Sequence, residues 1–182
     1  MRYYDAIHFT LKAHDGQMRK LEGDIYAAHP IEVGFILSEC DVAYEVIIAG
    51  ILHDTLEDTT ATYSLLKNRF GNKVARLVKG VSEDDKSLNW KTRKQKSINH
   101  LKNEASKEEK YIICADKLSN IKSFSRSLKN IENPQESFIW KKFNAGYKKQ
   151  KWYYKESLKG LKELKGKKIY EELSKYIKKV FN

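Results

Sequence analysis

Apolar residues recur at intervals of three and four along nearly the whole chain, and no useful stretch alternates as a half-buried β-strand does. Intervals of three and four place apolar side chains on one face of an α-helix, where they can pack against other helices. Only two prolines interrupt the 182 residues. The pattern therefore predicts an all-α fold, built as a helical bundle.

The pattern also predicts where the helices lie. One begins at His29-Pro30, because proline fits the first turn of a helix. Another follows Thr60 or Thr62, either of which can cap it, and ends before Gly71. A charged loop is expected at 82–90 and a break at 130–135. The remaining predicted helices cover residues 3–14, 42–58, 72–83, 90–104, 108–128, 136–162 and 168–180.

The predicted helix 42–58 joins an apolar stretch to a charged one. Residues 47–52 are apolar on every side, which is typical of a buried helix, and four ionisable side chains follow: His53, Asp54, Glu57 and Asp58. At about 100° per residue these four project into less than half a turn, so they can share one cavity. Buried carboxylates usually persist only when they are paired or bound to a cation.

A divalent metal would account for this cluster, because neighbouring histidine and aspartate suit Mn²⁺, Fe²⁺ or Zn²⁺. Two ligands are too few, and the chain offers His29 and Asp116 in similar settings, each where a predicted helix reaches a cavity. The alternative is an ion pair between the helix end and a neighbouring lysine. The surrounding sequence favours the metal.

Five segments, in this order, resemble the HD-domain phosphohydrolases, and within them the Rel/Spo-type and small alarmone hydrolases that remove diphosphate from (p)ppGpp. They are "AHDGQMRK", "AAHPIEVGFIL", "AGILHDTLEDT", "FGNKVARLVKGVSEDD" and "ADKLSNIKS". The resemblance implies a single HD-type domain over residues 1–182, with a metal and catalytic core at about 1–128 and basic C-terminal helices at about 136–182.

The resemblance implies a role for several residues. His29, His53, Asp54 and Asp116 match the four ligands of one divalent ion, most simply Mn²⁺. Glu57 and Asp58 match the acidic pair that acts on the attacking water. The residues implied to contact substrate are Arg19, Lys20, Tyr26 and Asn120.

The chain departs from the family pattern at several positions. Tyr26 alone remains of the usual "PYI", and "ADRLHN" is replaced by "ADKLSN", which introduces Lys117 and Ser119. Arg93 and Lys94 match a basic pair only loosely, and we interpret them as the outer face of a surface helix.

The charge is unevenly divided. Residues 1–85 carry 9 lysines and arginines against 14 acidic residues, whereas residues 86–182 carry 26 against 10. The basic half permits contact with nucleic acid, but it also suits a basic wall that faces an acidic site and holds a small anion.

We therefore expect a hydrolase whose partner is a small nucleotide, with (p)ppGpp as substrate. One alternative is a phosphohydrolase of another nucleotide or dinucleotide; another is a nucleic-acid-binding protein with a vestigial HD site, which is possible but not favoured. No apolar run is long enough to cross a membrane and no secretory signal is evident, so a cytoplasmic location is expected. The oligomeric state is left open.

Overall fold

The computed structural model describes residues 3–21, 23–83, 87–143 and 145–182. Within these ranges the chain forms ten α-helices and one isolated β-bridge, between Met18 and Ile25, but no strand. The all-α prediction is confirmed. The helices are α1 Tyr3–Ala13, α2 Ala28–Ser38, α3 Tyr44–Leu52, α4 Thr55–Asp58, α5 Tyr63–Phe70, α6 Asn72–Val81, α7 Trp90–Asn103, α8 Lys107–Ser127, α9 Tyr147–Gly160 and α10 Lys168–Phe181.

Two helices form the centre of the bundle. Every residue of α3 from Val46 to Leu52 is buried, and α3 packs against α1, α2, α6 and α8. The long helix α8 begins at a capping box formed by Ser106 and Glu109, and it contacts α2, α3, α6 and α10. A helix that is apolar on all sides must be surrounded by others, as α3 is here.

The predicted helix 42–58 is wrong as a single element, because the chain turns at His53 and Asp54 between α3 and α4. The Thr55 hydroxyl donates to the carbonyl of Leu52 at 2.7 Å, and the Thr59 hydroxyl donates to the carbonyl of Thr55 at 2.7 Å. These side chains satisfy carbonyl oxygens at the ends of the two short helices. His53 and Asp54 therefore lie at a helix junction.

The predicted helix 136–162 is also wrong as a single element. Short 3₁₀ turns at Pro134–Glu136 and Phe138–Lys142 precede α9. The Trp140 indole donates to the carbonyl of Pro134 at 2.6 Å, and its ring lies 5.4 Å from that of Tyr147 and 5.9 Å from that of Phe181. Aromatic packing between distant segments thus overrides the helical pattern.

Other boundaries agree with the sequence. Of the two candidate caps for α5, Thr62 is the one used, since its hydroxyl accepts from the Leu65 amide at 3.2 Å. Gly71, with φ of 88°, ends that helix. The predicted charged loop follows α6, and its residues 84–86 lie outside the described ranges. Among the described residues no helix is long and apolar enough to cross a membrane. The cytoplasmic location stays a prediction.

Helices α2 and α3 approach closely through two glycines. A β-carbon added to Gly34 of α2 would lie 2.3 Å from Ile51 Cγ1, and one added to Gly50 of α3 would lie 2.3 Å from Leu37 Cδ1. These distances leave no room for a methyl group. The contact brings the start of α2 close to the end of α3, where the two histidines His29 and His53 lie.

We expect Gly34→Ala to lower the free energy of unfolding by about 1–3 kcal/mol, because the added methyl group must displace Ile51 in a packed core. Urea denaturation measures the change. The control is Phe35→Ala on the same helix, where a side chain that is 65% exposed is removed and the change should stay within about 0.5 kcal/mol. Equal effects of the two substitutions would contradict this account of the α2–α3 contact.

Candidate metal centre and adjoining cavities

The four residues predicted as metal ligands come from three parts of the chain and meet at one point. His29 lies in the first turn of α2, His53 and Asp54 lie at the α3–α4 junction, and Asp116 lies in the middle of α8. One ligand atom from each of His29, His53 and Asp54 lies within 4.8 Å of the others.

Asp116 joins this group from the opposite side. Its Oδ1 lies 3.2 Å from His29 Nε2 and 3.9 Å from His53 Nε2. The carboxylate of Asp54 also contacts both rings, with Oδ2 3.6 Å from His29 Nε2 and Oδ1 3.0 Å from His53 Nε2. Asp116 therefore lies beside the group formed by His29, His53 and Asp54.

The ring of His53 is oriented by the backbone. Its Nδ1 lies 2.8 Å from the carbonyl oxygen of Gly50, which can only accept, so Nδ1 carries a proton. Its Nε2 is buried and lies 3.0 Å from Asp54 Oδ1 and 3.9 Å from Asp116 Oδ1. A buried imidazole nitrogen that faces two carboxylates fits a cation ligand.

Burial and neighbouring opposite charges shift the pKa values of these four groups in opposite directions. Burial would raise the pKa of Asp54 and Asp116, but His53 beside Asp54 and Lys117 beside Asp116 outweigh it, so both pKa values are lowered. Burial lowers the pKa of His29. Burial also disfavours the charged form of His53, but the Asp54 carboxylate raises its pKa to about 9. Protons therefore compete with a cation at His53.

The chemistry of this donor set fits a divalent cation. Two neutral imidazoles and two carboxylates supply nitrogen and oxygen ligands together with two negative charges. Lys117 and Asn120 orient the Asp116 carboxylate, since Lys117 Nζ donates to Oδ2 at 2.7 Å and the Asn120 amide donates to Oδ1. The group formed by His29, His53 and Asp54 can hold a divalent metal ion, and Asp116 is the predicted fourth ligand.

The predicted acidic pair lies on α4, immediately beside the four ligating groups. Glu57 Oε2 accepts from the Glu83 amide at 3.1 Å, and burial raises the pKa of Glu57. The Tyr26 hydroxyl lies 2.7 Å from Asp54 Oδ2 and 3.3 Å from Asp58 Oδ2. Despite the break between α3 and α4, both acids line the same cavity as the ligating groups.

That cavity has a volume of about 620 Å³, and basic side chains line it together with the acids. These basic side chains, called the basic wall below, are Lys79, Arg93, Lys94, Lys96 and Lys117. A cavity that combines acidic ligating groups with several cations suits a ligand that carries several negative charges and binds through a metal ion.

The interpretation of Arg93 and Lys94 as the outer face of a surface helix is wrong. Their side chains are only 18% and 21% exposed, and both line the cavity. Glu83 holds them there, accepting from Lys94 Nζ at 2.6 Å and from an Arg93 guanidinium nitrogen at 3.1 Å. The Tyr153 ring of α9 lies 5.2 Å from Lys94 Nζ. The sequence shows two adjacent cations but not their burial, which depends on α9.

A second cavity, of about 220 Å³, adjoins the first, because Tyr26 and Asn120 line both. Arg19 and Lys20 also line it, so all four predicted substrate contacts surround this space. The Arg19 guanidinium donates to Asn120 Oδ1 at 3.1 Å. The structure brings these four side chains together, and their role in binding stays a prediction.

Ser123 is a candidate that the sequence did not single out. It lines the second cavity and is 1% exposed, and its hydroxyl has no hydrogen-bond partner among the residues that the structure describes. It lies three positions after Asn120 on α8 and therefore on the same helical face, which is the signal that could have revealed it.

The loop that carries Arg19 is tied to the acidic pair. The Arg19 amide donates to the Asp24 carbonyl at 2.7 Å, beside the bridge between Met18 and Ile25. The side-chain amide of Gln17 donates to the backbone carbonyl of Asp58 at 2.8 Å. These bonds fix the loop against the end of α4, so the second cavity keeps its position beside the ligating residues.

Comparison with known proteins agrees with this geometry. The profile of the HD domain family matches residues 6–143, which is most of the chain. The chain belongs to the HD domain family. Members of this family are expected to use a divalent metal, and the group formed by His29, His53 and Asp54 could hold one.

Two HD domain relatives have curated functions. The chain is 39% identical over 142 residues to the zebrafish (Danio rerio) guanosine-3′,5′-bis(diphosphate) 3′-pyrophosphohydrolase MESH1, covering 75% of this chain and 78% of that protein. It is 31% identical over 202 aligned positions to the Aquifex aeolicus enzyme of the same activity, covering 94% of this chain. The chain spans only 29% of the length of that second relative.

A solved structure is similar over nearly the whole chain. It is a metazoan ortholog of SpoT that hydrolyses ppGpp and plays a role in starvation responses. The two superpose with a TM-score of 0.79 at 26% sequence identity, covering 97% of this chain and 94% of the other.

We expect Mn²⁺ to raise the thermal unfolding midpoint, because a cation that binds only the folded chain stabilises it, by about 2.7 kcal/mol at one hundred times its dissociation constant. Asp54→Asn should remove this shift, since it removes a charged ligand. The control is Glu39→Gln, at an exposed ion pair with Lys168, which should keep it. An unchanged shift in Asp54→Asn would contradict the ligand assignment.

Proposed function

We propose that this HD domain protein hydrolyses the guanosine 3′-diphosphate alarmone (p)ppGpp to GDP or GTP and pyrophosphate. The observation that carries the proposal is the meeting of the ligating group, the Glu57–Asp58 pair and a basic wall in one cavity. The names of the zebrafish and Aquifex relatives support the choice of substrate.

The proposed cofactor is one divalent ion, Mn²⁺, held by His29, His53, Asp54 and Asp116. Mixed imidazole and carboxylate ligands suit Mn²⁺ better than a thiolate-rich site would. When bound, such an ion supplies Lewis acidity that activates water and neutralises charge on phosphoryl oxygens. Side chains of the protein would bind the substrate, transfer the proton and stabilise the phosphate charge.

Each cavity would bind a different part of the proposed substrate. The smaller one would take the guanine base, with Arg19 available to stack on it and the Ser123 hydroxyl and Lys20 available for polar contacts. Tyr26 and Asn120 lie where the cavities meet and would flank the ribose. The 3′-diphosphate would then extend into the larger cavity toward the basic wall.

The acidic pair would accept the proton of the attacking water. The oxygen of this water would form a bond to the phosphorus next to the ribose as the bond from that phosphorus to the 3′-oxygen breaks. The proton held by the acidic pair would then pass to the 3′-oxygen. Burial raises the pKa of Glu57, which suits a group that holds a proton during the reaction. Either Glu57 or Asp58 can be the general base.

The basic wall would stabilise negative charge on the diphosphate. Lys94 and Lys117 are candidates for this role, since both line the cavity, and the Tyr153 ring lies 5.2 Å from Lys94 Nζ and 5.0 Å from Lys117 Nζ. Fixed cations in a partly water-excluded cavity stabilise developing phosphoryl charge more strongly than cations in bulk water. This role would account for part of the positive charge of the second half of the chain.

We expect the Mn²⁺-loaded protein to convert ppGpp to GDP and pyrophosphate, measured by ion-exchange separation of the products. Asp58→Asn should keep the Mn²⁺-induced thermal shift but lower kcat by about 10²–10⁴-fold, because it removes a proton acceptor and no ligand. Glu39→Gln serves as the surface control.

The same assay should include other nucleotides, among them a dinucleotide with a 2′-phosphate. Turnover of one of these while ppGpp stays intact would contradict the proposed substrate but keep the hydrolase. Salt-sensitive binding of random nucleic acid without any nucleotide turnover would favour the vestigial-site alternative.

A further inference from the structure

The two histidines of the ligating group are oriented by different means. Backbone orients His53, through the Gly50 carbonyl at 2.8 Å from Nδ1. Side chains orient His29: its Nδ1 lies 2.9 Å from Ser119 Oγ, and that oxygen lies 2.7 Å from Glu32 Oε2. Ser119 belongs to α8 and Glu32 to α2, so this chain of contacts also joins the two helices that carry Asp116 and His29.

The number of available protons determines which group donates in the hydrogen bonds between His29, Ser119 and Glu32. A carboxylate accepts hydrogen bonds and does not donate them, and a serine hydroxyl has one proton. That proton goes to Glu32 Oε2, so Ser119 Oγ can only accept from His29. The neutral His29 ring therefore carries its proton on Nδ1 and a lone pair on Nε2.

The position of this proton matters because two carboxylates on the other side of the ring favour the opposite tautomer, with the proton on Nε2. His29 Nε2 lies 3.2 Å from Asp116 Oδ1 and 3.6 Å from Asp54 Oδ2, and either carboxylate would stabilise a proton on Nε2. A proton there would occupy the lone pair that a cation needs. Ser119 and Glu32 oppose that tautomer.

Because Ser119 and His29 are buried, water cannot easily replace the Ser119 hydroxyl as the partner of His29 Nδ1. Ser119 is 0% exposed and His29 is 4% exposed, so bulk water has little access to His29 Nδ1 when the hydroxyl is removed. A carboxylate behind the hydroxyl also strengthens its bond to the ring and makes the far nitrogen a better electron donor.

We propose that Ser119 and Glu32 are positioning residues that hold His29 in the Nδ1-protonated tautomer and so make its Nε2 available to the divalent ion. The proposal rests on the ligand role of His29 in the proposed function. It gives a role to Ser119, which stands where the related hydrolases have histidine in "ADRLHN".

The first test is the tautomer itself, read in metal-free protein from two-bond ¹H–¹⁵N correlations of the His29 ring. Wild type should show a protonated Nδ1 and an unprotonated Nε2. Ser119→Ala removes the acceptor, so the Nε2-protonated form should become the major one. Ser119→Thr keeps a hydroxyl and should restore the wild-type pattern.

The second test is Mn²⁺ affinity, measured by titration calorimetry. Ser119→Ala should weaken binding by about 10–100-fold, the usual effect of losing a partner of a metal ligand. The control is Ser125→Ala, a buried serine on the same helix outside both cavities, which should bind as wild type does.

A second variant covers the case in which Ser119→Ala does not fold. Glu32→Ala, at a partly exposed position of α2, frees the Ser119 proton to turn toward His29 Nδ1, so it should shift the tautomer and the affinity in the same direction. If wild type binds no Mn²⁺, the proposed function fails, whatever the tautomer. If wild type binds Mn²⁺ while the variants keep both tautomer and affinity, only the positioning role is overturned.

Discussion

Two carboxylates and two imidazoles lie together, largely buried, where three helical segments of the bundle meet. Asp54 and Asp116 approach the same two histidine rings, and their side chains are only 15% and 17% exposed. Such a group is costly inside a protein unless positive charge compensates it. His53 and Lys117 supply part of that compensation, and a divalent cation would supply more.

The helical bundle brings these four side chains together because α2 begins and α3 ends beside the site. The glycine contact between α2 and α3 brings the beginning of one helix to the end of the other, which sets the 5.2 Å separation of the His29 and His53 rings. The junction after α3 then turns the chain so that α4 presents Glu57 and Asp58 to the same cavity. Helix α9 adds the Tyr153 ring beside Lys94 and Lys117 of the basic wall.

Much of the fold could be predicted because helical periodicity is local. The break at His53 could not, because it depends on how Thr55 and Thr59 bond to nearby carbonyls. The break before α9 depends on Trp140 packing against the far end of the chain, a contact that no local pattern contains. The sequence anticipated that His29 and Asp116 would lie near His53. It could not reveal the burial of Arg93 and Lys94, which requires Glu83 and α9 to be in place.

Anomalous diffraction at the manganese absorption edge, from crystals grown with Mn²⁺, locates the bound ion. We expect one strong peak between the Nε2 atoms of His29 and His53 and the carboxylates of Asp54 and Asp116. Stoichiometric Mn²⁺ with its peak elsewhere on the chain, and none at this point, would contradict the assignment of these four ligands.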